Sequence, residues 1–355
     1  MSDDVTEYLK EKKPDIDAIL EKYLPKSLDS GDLEAIFGRP RHAYDEKALT
    51  EALSVPVWDF LDRGGKRFRP ALFLLMCEAL GADTGKVKDF ASVVEFAHEG
   101  SIMIDDIEDM GELRRGKPCT HKLFGEDIAI NAGNFMYFLP MLVFMKNRER
   151  FDDSTLLDAW NVFAQEMINI HAGQAMDIYW HKGNEDNIGE EEYMQMCAYK
   201  TGCLTRMAAR LAAVLSGATP EQKETLGKFA EMVGIGFQIQ DDLLSAGGSK
   251  FQDKKGYGDD ITEGKRTLMV IHTLKKANEN DRKRLIEILG MHTREKELID
   301  EAISILKKYG SLEYAKNVAR NMVEDAWKEA EPVLDDSDAK ERLKSLAMFL
   351  INREI

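Results

Sequence analysis

Residues 105–109 read Asp-Asp-Ile-Glu-Asp and residues 241–242 read Asp-Asp, each directly after a mostly apolar stretch. On a helix, Asp105 and Asp109 share one face, about 5.4 Å apart along the axis. Like charges so close repel, so a compensating cation is expected. Arg114 and Arg115, just behind, would make the segment an ordinary solvated helix end. A metal is the other answer. Short carboxylates suit Mg2+, a hard ion that takes oxygen ligands at about 2.0–2.1 Å and keeps waters and phosphate oxygens in its shell. Aspartate is a poor helix former, which favours a placed role. No twelve-residue calcium loop with its glycine and closing glutamate follows. Two apolar helices that both end in Asp-Asp, if they face one another, could hold a diphosphate between them through bridging metals.

Three basic segments complete that chemistry. RGGKRFRP (63–70) sets Lys66, Arg67 and Arg69 behind a Gly-Gly turn, RRGKP (114–118) follows the first acidic run, and EGKRT (263–267) adds Lys265 and Arg266. Glycines let the backbone approach a phosphate, and Lys and Arg supply charge and forked donors. Each alone would be a solvated surface. With two acidic clusters they describe two diphosphate pockets, one metal-bound and one purely basic. The net charge of −16, from 48 Lys+Arg against 64 Asp+Glu, makes local capture necessary. The same field excludes nucleic acid or an anionic membrane as the main partner.

The elements that must position these residues read as helices. Apolar side chains recur at three and four, as in Leu72, Leu75, Met76 and Ala79, or Phe90, Val93, Val94 and Ala97. Residues 88–109 form one such helix. Breaks are expected over 30–42, 146–154, 181–190, 216–222 and 246–260, where Gly, Pro and polar residues gather. Thr219, Pro220 and Glu221 mark a helix start. The expectation is an all-α, single-domain bundle of about 10–14 helices over residues 46–355, with accessory helices in 1–45. Cys77, Cys119, Cys197 and Cys203 have neither CxxC nor zinc spacing, as expected of reduced thiols in a cytoplasm. The charged start has no apolar core, and the longest apolar run, 135–145, falls short of the ~20 residues of a span, so no stable membrane insertion is expected.

In this order, GGKRFRP, DDIED with RRGKP behind it, YKTG (199–202), GFQIQDD and GDDITEGKRT (258–267) resemble the signature set of the trans-isoprenyl diphosphate synthases, or polyprenyl synthetases. The match runs from about residue 60 to 270 and is similar to geranylgeranyl and farnesyl diphosphate synthases. The resemblance implies the isoprenoid synthase type I fold, helices around a central cavity, usually as a homodimer. It implies a head-to-tail condensation of isopentenyl diphosphate with a C5, C10 or C15 allylic diphosphate, releasing pyrophosphate. It also implies that Asp105, Asp109 and Asp241 ligate three Mg2+, supported by Asp106 and Asp242. Arg114, Lys200 and Lys265 would hold the allylic diphosphate, and Gly65, Lys66, Arg69, His98 and Arg115 isopentenyl diphosphate. Gln174 and Asp177 match a pair near the metals, Thr201 and Gln238 residues beside the reacting carbon, and Lys255 a loop lysine that closes on the diphosphate.

That chemistry suits the residues. Ionising an allylic diphosphate makes a carbocation and a departing anion, and metals and cations stabilise the anion as its charge develops. The cation needs a dry pocket with a few oxygen dipoles, such as Thr201, Gln238 and the Lys200 carbonyl. The pyrophosphate is expected to take the final proton, so no Ser-His-Asp or Cys-His set is needed.

The sequence departs from the family pattern at Ser245, where the second cluster often has a further aspartate, and at Ile104 and Asn134, where histidine and aspartate are frequent. Asp253, Asp259 and Asp260 follow in the next loop. Small residues at Gly100 and Ser101, one turn before Asp105, leave room for a long product, with a floor expected at Tyr137 or Phe138. The expected product is C20, geranylgeranyl diphosphate. C15, farnesyl diphosphate, and C25 or longer are alternatives. So is a non-catalytic subunit of a heteromeric prenyltransferase, although such subunits tend to lose one acidic cluster. A terpene cyclase typically lacks GGKRFRP.

Overall fold

Apolar side chains at three- and four-residue spacing close into helices along most of the chain. The computed structural model describes residues 2–247 and 258–352, and among them fourteen helices of eight or more residues form two units. Met1–Phe163, Ala208–Thr219 and Asp336–Leu343 make the first unit, and Ala164–Met207, Pro220–Asp335 and Lys344–Ile355 the second.

The first unit begins with α1 (Ser2–Tyr23) and α2 (Ser30–Phe37). The second of these falls where a break was expected. Asp29 and Asp32 exchange side-chain and backbone hydrogen bonds in a capping box, and the break comes later, at Gly38 with φ +83°. Next come α3 (46–62, with a π-helical turn at Thr50–Ser54), α4 (Phe68–Ala79), α5 (Ala91–Glu108) and α6 (Glu126–Lys146). α1 packs on α4, α5 and α6 through buried Val5, Leu9, Ile16 and Leu20. α5 and α6 approach closely where Gly100 meets Gly133. A Cβ on Gly100 would stand 2.9 Å from the Gly133 oxygen, and one on Gly133 2.8 Å from Ile104 Cδ1. Ile104 therefore fills the space over Gly133. Its most apolar 18-residue stretch has a mean hydropathy of 1.6, so by length and composition α6 could span a bilayer, which its central run alone did not suggest. Half of that stretch is buried, and α6 serves as the partner of α5.

A short antiparallel hairpin interrupts the helices: β1 (Leu113–Arg114) pairs with β2 (Lys117–Pro118). Its two-residue loop has φ +55° at Arg115 and +76° at Gly116, the left-handed pair that suits the twist of a tight hairpin. Two residues per strand are too few for alternation to show in the sequence. Both arginines ride on this hairpin.

The second unit is built on α9 (Pro220–Gly247), after residues 164–181 of α7 (Asp153–His181) and 190–207 of α8 (190–215, with a π-helical turn at Ala198–Gly202). α9 starts at Pro220 as expected. It does not end at Asp241–Asp242, because Leu243–Ala246 continue the helix to Gly247; the second acidic pair is internal to a helix. α10 (Leu268–Lys276), α11 (Glu279–Gly290), α12 (Lys296–Lys308), α13 (Ser311–Ala330) and, from residue 344, α14 (Asp338–Asn352) follow. Ile235, Ile239, Leu285, Ile288, Ile303 and Leu306 are among its buried core.

Candidate active site

In the first unit the acidic run closes α5. Asp105 and Asp109 are half-buried, Glu108 is exposed and Asp106 is buried. Arg114 takes Asp106: its Nε donates to Asp106 Oδ1 at 2.8 Å, and its Nη2 donates to the same oxygen. Burial holds the Asp106 carboxyl above its usual range, with Arg114 opposing. Asp105 and Asp109 stand at the C-terminal end of α5, the negative end of the helix dipole, which favours a cation there. Among the described residues no three Asp, Glu, His or Cys side chains gather closely enough to enclose a metal. Two half-buried short carboxylates at that helix end suit magnesium, commonly bound by one or two carboxylates with water and substrate oxygens.

The basic turn lies in the same unit. Gly64 and Gly65 adopt φ +100° and +121°, and a Cβ on Gly65 would stand only 3.4 Å from Arg115 Nη2. Arg115 Nη1 donates to the Gly64 carbonyl at 2.8 Å. Lys66 is exposed. Arg69 lies over the Phe68 ring, 4.5 Å from its centroid, and its Nη1 donates to His98 Nε2 at 2.9 Å. Burial and the Arg69 charge push His98 well below its ordinary range, so the ring is neutral and accepts. Arg67 does not join this group. It turns inward, to Asp17, Glu95 and Glu99. Glu95 and Glu99 escaped the sequence reading; the only signal was two carboxylates at i and i+4 inside an apolar helix stripe.

In the second unit the π-helical turn of α8 presents Lys200 and Thr201. Lys200 Nζ pairs with Asp177, and Thr201 Oγ1 donates to Gln238 Oε1 at 2.7 Å. Gln238 Nε2 donates to Asp242 Oδ1 at 2.8 Å, and the buried Tyr193 hydroxyl donates to Asp242 Oδ2 at 2.9 Å. Tyr193 too was missed, because its partner lies on another helix. Asp242 is pushed up to about 7, first by burial and then by Asp260. Asp241, one residue earlier, is half-buried, as is Gln174 on α7. The Ser245 hydroxyl lies 3.4 Å from the Asp260 amide, so this departure from the family pattern packs on the segment that brings Asp260 near Asp242. Lys265 Nζ meets Glu263 at 2.6 Å. Lys255 and Asp253 lie outside the described residues. A π-helical turn inside a helix is common at functional sites. Here a Cβ at Gly173 would stand 2.2 Å from the Lys200 nitrogen, so only glycine lets α7 approach it.

Of the residues expected to set product length, Gly100 lies at the α5–α6 crossing, with Tyr137 Cδ1 3.4 Å from its Cβ position. Ser101 donates to the His98 carbonyl at 2.8 Å. Phe138 is 61% exposed, so Tyr137, not Phe138, is the neighbour of Gly100.

Comparison with known proteins gives a consistent answer. The sequence model of the polyprenyl synthetase family matches residues 50–306. The short chain isoprenyl diphosphate synthase of Methanothermobacter thermautotrophicus is 39% identical over 291 residues, 82% of this chain and 87% of its own. The geranylgeranyl pyrophosphate synthase of Geoglobus acetivorans is 36% identical over 295 residues, 83% and 89% of the two chains. The crystal structure of geranylgeranyl pyrophosphate synthetase from Pyrococcus horikoshii matches with a TM-score of 0.85 at 31% identity, covering 99% of each chain. The helices are those of the all-α prenyl synthase fold, and the chain belongs to the polyprenyl synthetase family.

Proposed function

We propose that this protein is a short-chain trans-prenyltransferase that joins isopentenyl diphosphate head-to-tail to an allylic diphosphate, releases pyrophosphate and makes geranylgeranyl diphosphate. One observation carries the reading. Half-buried Asp105 and Asp109 close a helix at its negative end, in the same unit as a basic turn and hairpin loop whose arginines, Arg69 and Arg115, are held by His98 and Glu99. The names of the Geoglobus and Pyrococcus relatives support the C20 product.

Gly65, Lys66, Arg69, His98 and Arg115 hold isopentenyl diphosphate. His98, kept neutral, adds no charge of its own but aims Arg69. Arg114, Lys200, Lys255 and Lys265, with Gln174, hold the allylic diphosphate. Asp105, Asp109 and Asp241 would hold three Mg2+, with Asp106, Asp177 and Asp242 behind them, and the ions, when bound, would supply positive charge to the departing pyrophosphate. Thr201 spends its proton on Gln238, which leaves its oxygen lone pairs available to a cationic carbon. No protein base is assigned, because the departing pyrophosphate takes the final proton.

The protein works as a homodimer in a cytoplasm. Ile130, Phe138 and Met145 lie exposed along α6, an apolar stripe of the kind that marks a protein partner. All four cysteines are free and buried. Incubation with Mg2+, isopentenyl diphosphate and each of the C5, C10 and C15 primers, read by mass spectrometry, tests the reading. A C20 diphosphate is expected; no elongation of any primer overturns the activity, and a different dominant length overturns only the product. Ser101→Phe should shorten the product, and unchanged length would remove the depth argument.

A further inference from the structure

Glu99 stands in the basic half of the site and is wholly buried, so it reaches neither solvent nor a bound diphosphate. Its Oε1 accepts from Arg67 Nη1 at 2.7 Å and from Arg115 Nη2 at 2.9 Å, and its Oε2 accepts from the same Arg115 nitrogen at 2.9 Å. Both arginines have left-handed backbones, with φ +49° and +55°, a conformation that persists in a bulky residue only where its surroundings fix it. Arg67 is fixed thoroughly. Four of its five N–H groups are taken, by Asp17 of α1, Glu95, Glu99 and the Leu61 carbonyl. Arg115 has fewer hydrogen-bonding anchors, Glu99 and the Gly64 carbonyl, beside the Phe60 ring 5.2 Å away, and its side chain remains 21% exposed.

One carboxylate thus ties three pieces of chain together: the Gly64–Gly65 turn with the start of α4, the hairpin loop, and the middle of α5. We propose that Glu99 is a positioning residue for isopentenyl diphosphate, setting the Arg115 guanidinium and the glycine turn in the arrangement that receives the diphosphate. The proposal rests on the assignment of this basic turn to isopentenyl diphosphate. A buried anion next to a diphosphate site would repel the ligand if its charge were free. Here it sits between two guanidinium groups, so its field is largely cancelled and its geometric effect remains. Holding a receptor group in its bound arrangement lowers the cost of binding.

Glu99→Gln separates the two roles. Asp17 and Glu95 still compensate Arg67, so the variant releases Arg115 and keeps the packing. Asp17→Asn, at a partly exposed position, loosens the same network from its outer end and reads it if Glu99→Gln fails to fold. Steady-state kinetics with both substrates varied, run beside Arg69→Ala, give the answer. Glu99→Gln should raise KM for isopentenyl diphosphate about tenfold and leave kcat and the allylic KM within about twofold; Asp17→Asn should raise it about threefold. If Arg69→Ala raises that KM while Glu99→Gln leaves it unchanged or lowers it, the positioning role is wrong and the site assignment stands. If Arg69→Ala also leaves it unchanged, both are wrong.

Discussion

α5 and α9 each carry an Asp-Asp pair, and in each the first carboxylate, Asp105 or Asp241, is half-buried while the second, Asp106 or Asp242, is buried. What burial sets opposite the second one differs. Asp106 meets a cation, Arg114, whereas Asp242 meets two neutral donors, the Tyr193 hydroxyl and the Gln238 amide. One buried carboxylate therefore fixes a charge, and the other fixes a dipole, since Gln238 in turn receives Thr201. The difference matches two demands of the reaction. A departing pyrophosphate needs cations. An allylic carbocation needs oxygen lone pairs on neutral groups, because an exposed carboxylate beside it could capture it as an ester. Identical dipeptides are put to different uses by their partners.

The comparison would break most visibly at the first aspartates. Asp105→Asn and Asp241→Asn should each lower kcat/KM by about 10³-fold or more, the scale of losing a group that stabilises the transition state electrostatically. Both side chains are partly open to water, so thermal unfolding should barely move. A variant that keeps the wild-type rate would remove its helix from the metal assignment.

The second aspartates should sharpen the contrast in stability. Asp106→Asn takes away the carboxylate to which Arg114 donates and should cost about 2–3 kcal/mol, somewhat below the usual loss for a fully buried pair because Arg114 is partly exposed. Asp242→Asn keeps a hydrogen-bonding amide opposite Tyr193 and Gln238 and should stay within about 1 kcal/mol of wild type. Denaturant unfolding at pH 8 compares them. Equal losses would mean that the two pairs are built on the same principle after all.

Much of this was legible in the sequence because it is local. The helices follow from apolar spacing, and both acidic pairs and the Gly-Gly basic turn stand as short strings. The rest depended on partners far along the chain. Arg67 looked like a sibling of Arg69 until Asp17, fifty residues before it, and Glu95 and Glu99, about thirty residues after it, drew it inward. Glu95 and Glu99 sit at core positions of α5, where the helical pattern gives no sign that they are charged anchors. Tyr193 contacts Asp242 across 49 positions. The hairpin under Arg115 is too short for a period, and α2 hides in a polar stretch whose capping box is Asp to Asp. Side-chain direction at a turn, and contact between distant helices, are not written in spacing.

The smallest effect concerns Glu95, a buried acid of α5 whose counter-cation is shared. Burial, joined by Glu99, which draws on the same guanidinium, pushes it up to about 7 against the pull of Arg67. An unfolded Glu titrates near 4.5. Between about 4.5 and 7 the folded chain therefore holds a proton that the unfolded chain has lost. The resulting stability is full below about 4.5 and disappears as pH rises through about 7. Glu95→Gln carries no such proton and should lack this slope. From pH 5 to pH 8 the wild type should lose on the order of 2 °C in Tm relative to the variant, as followed by calorimetry. Parallel Tm curves would show that Glu95 is ionised throughout. Arg67 would then keep its buried acids charged, and Asp242, which meets neutral donors, would be the buried acid that differs in kind between the two helices.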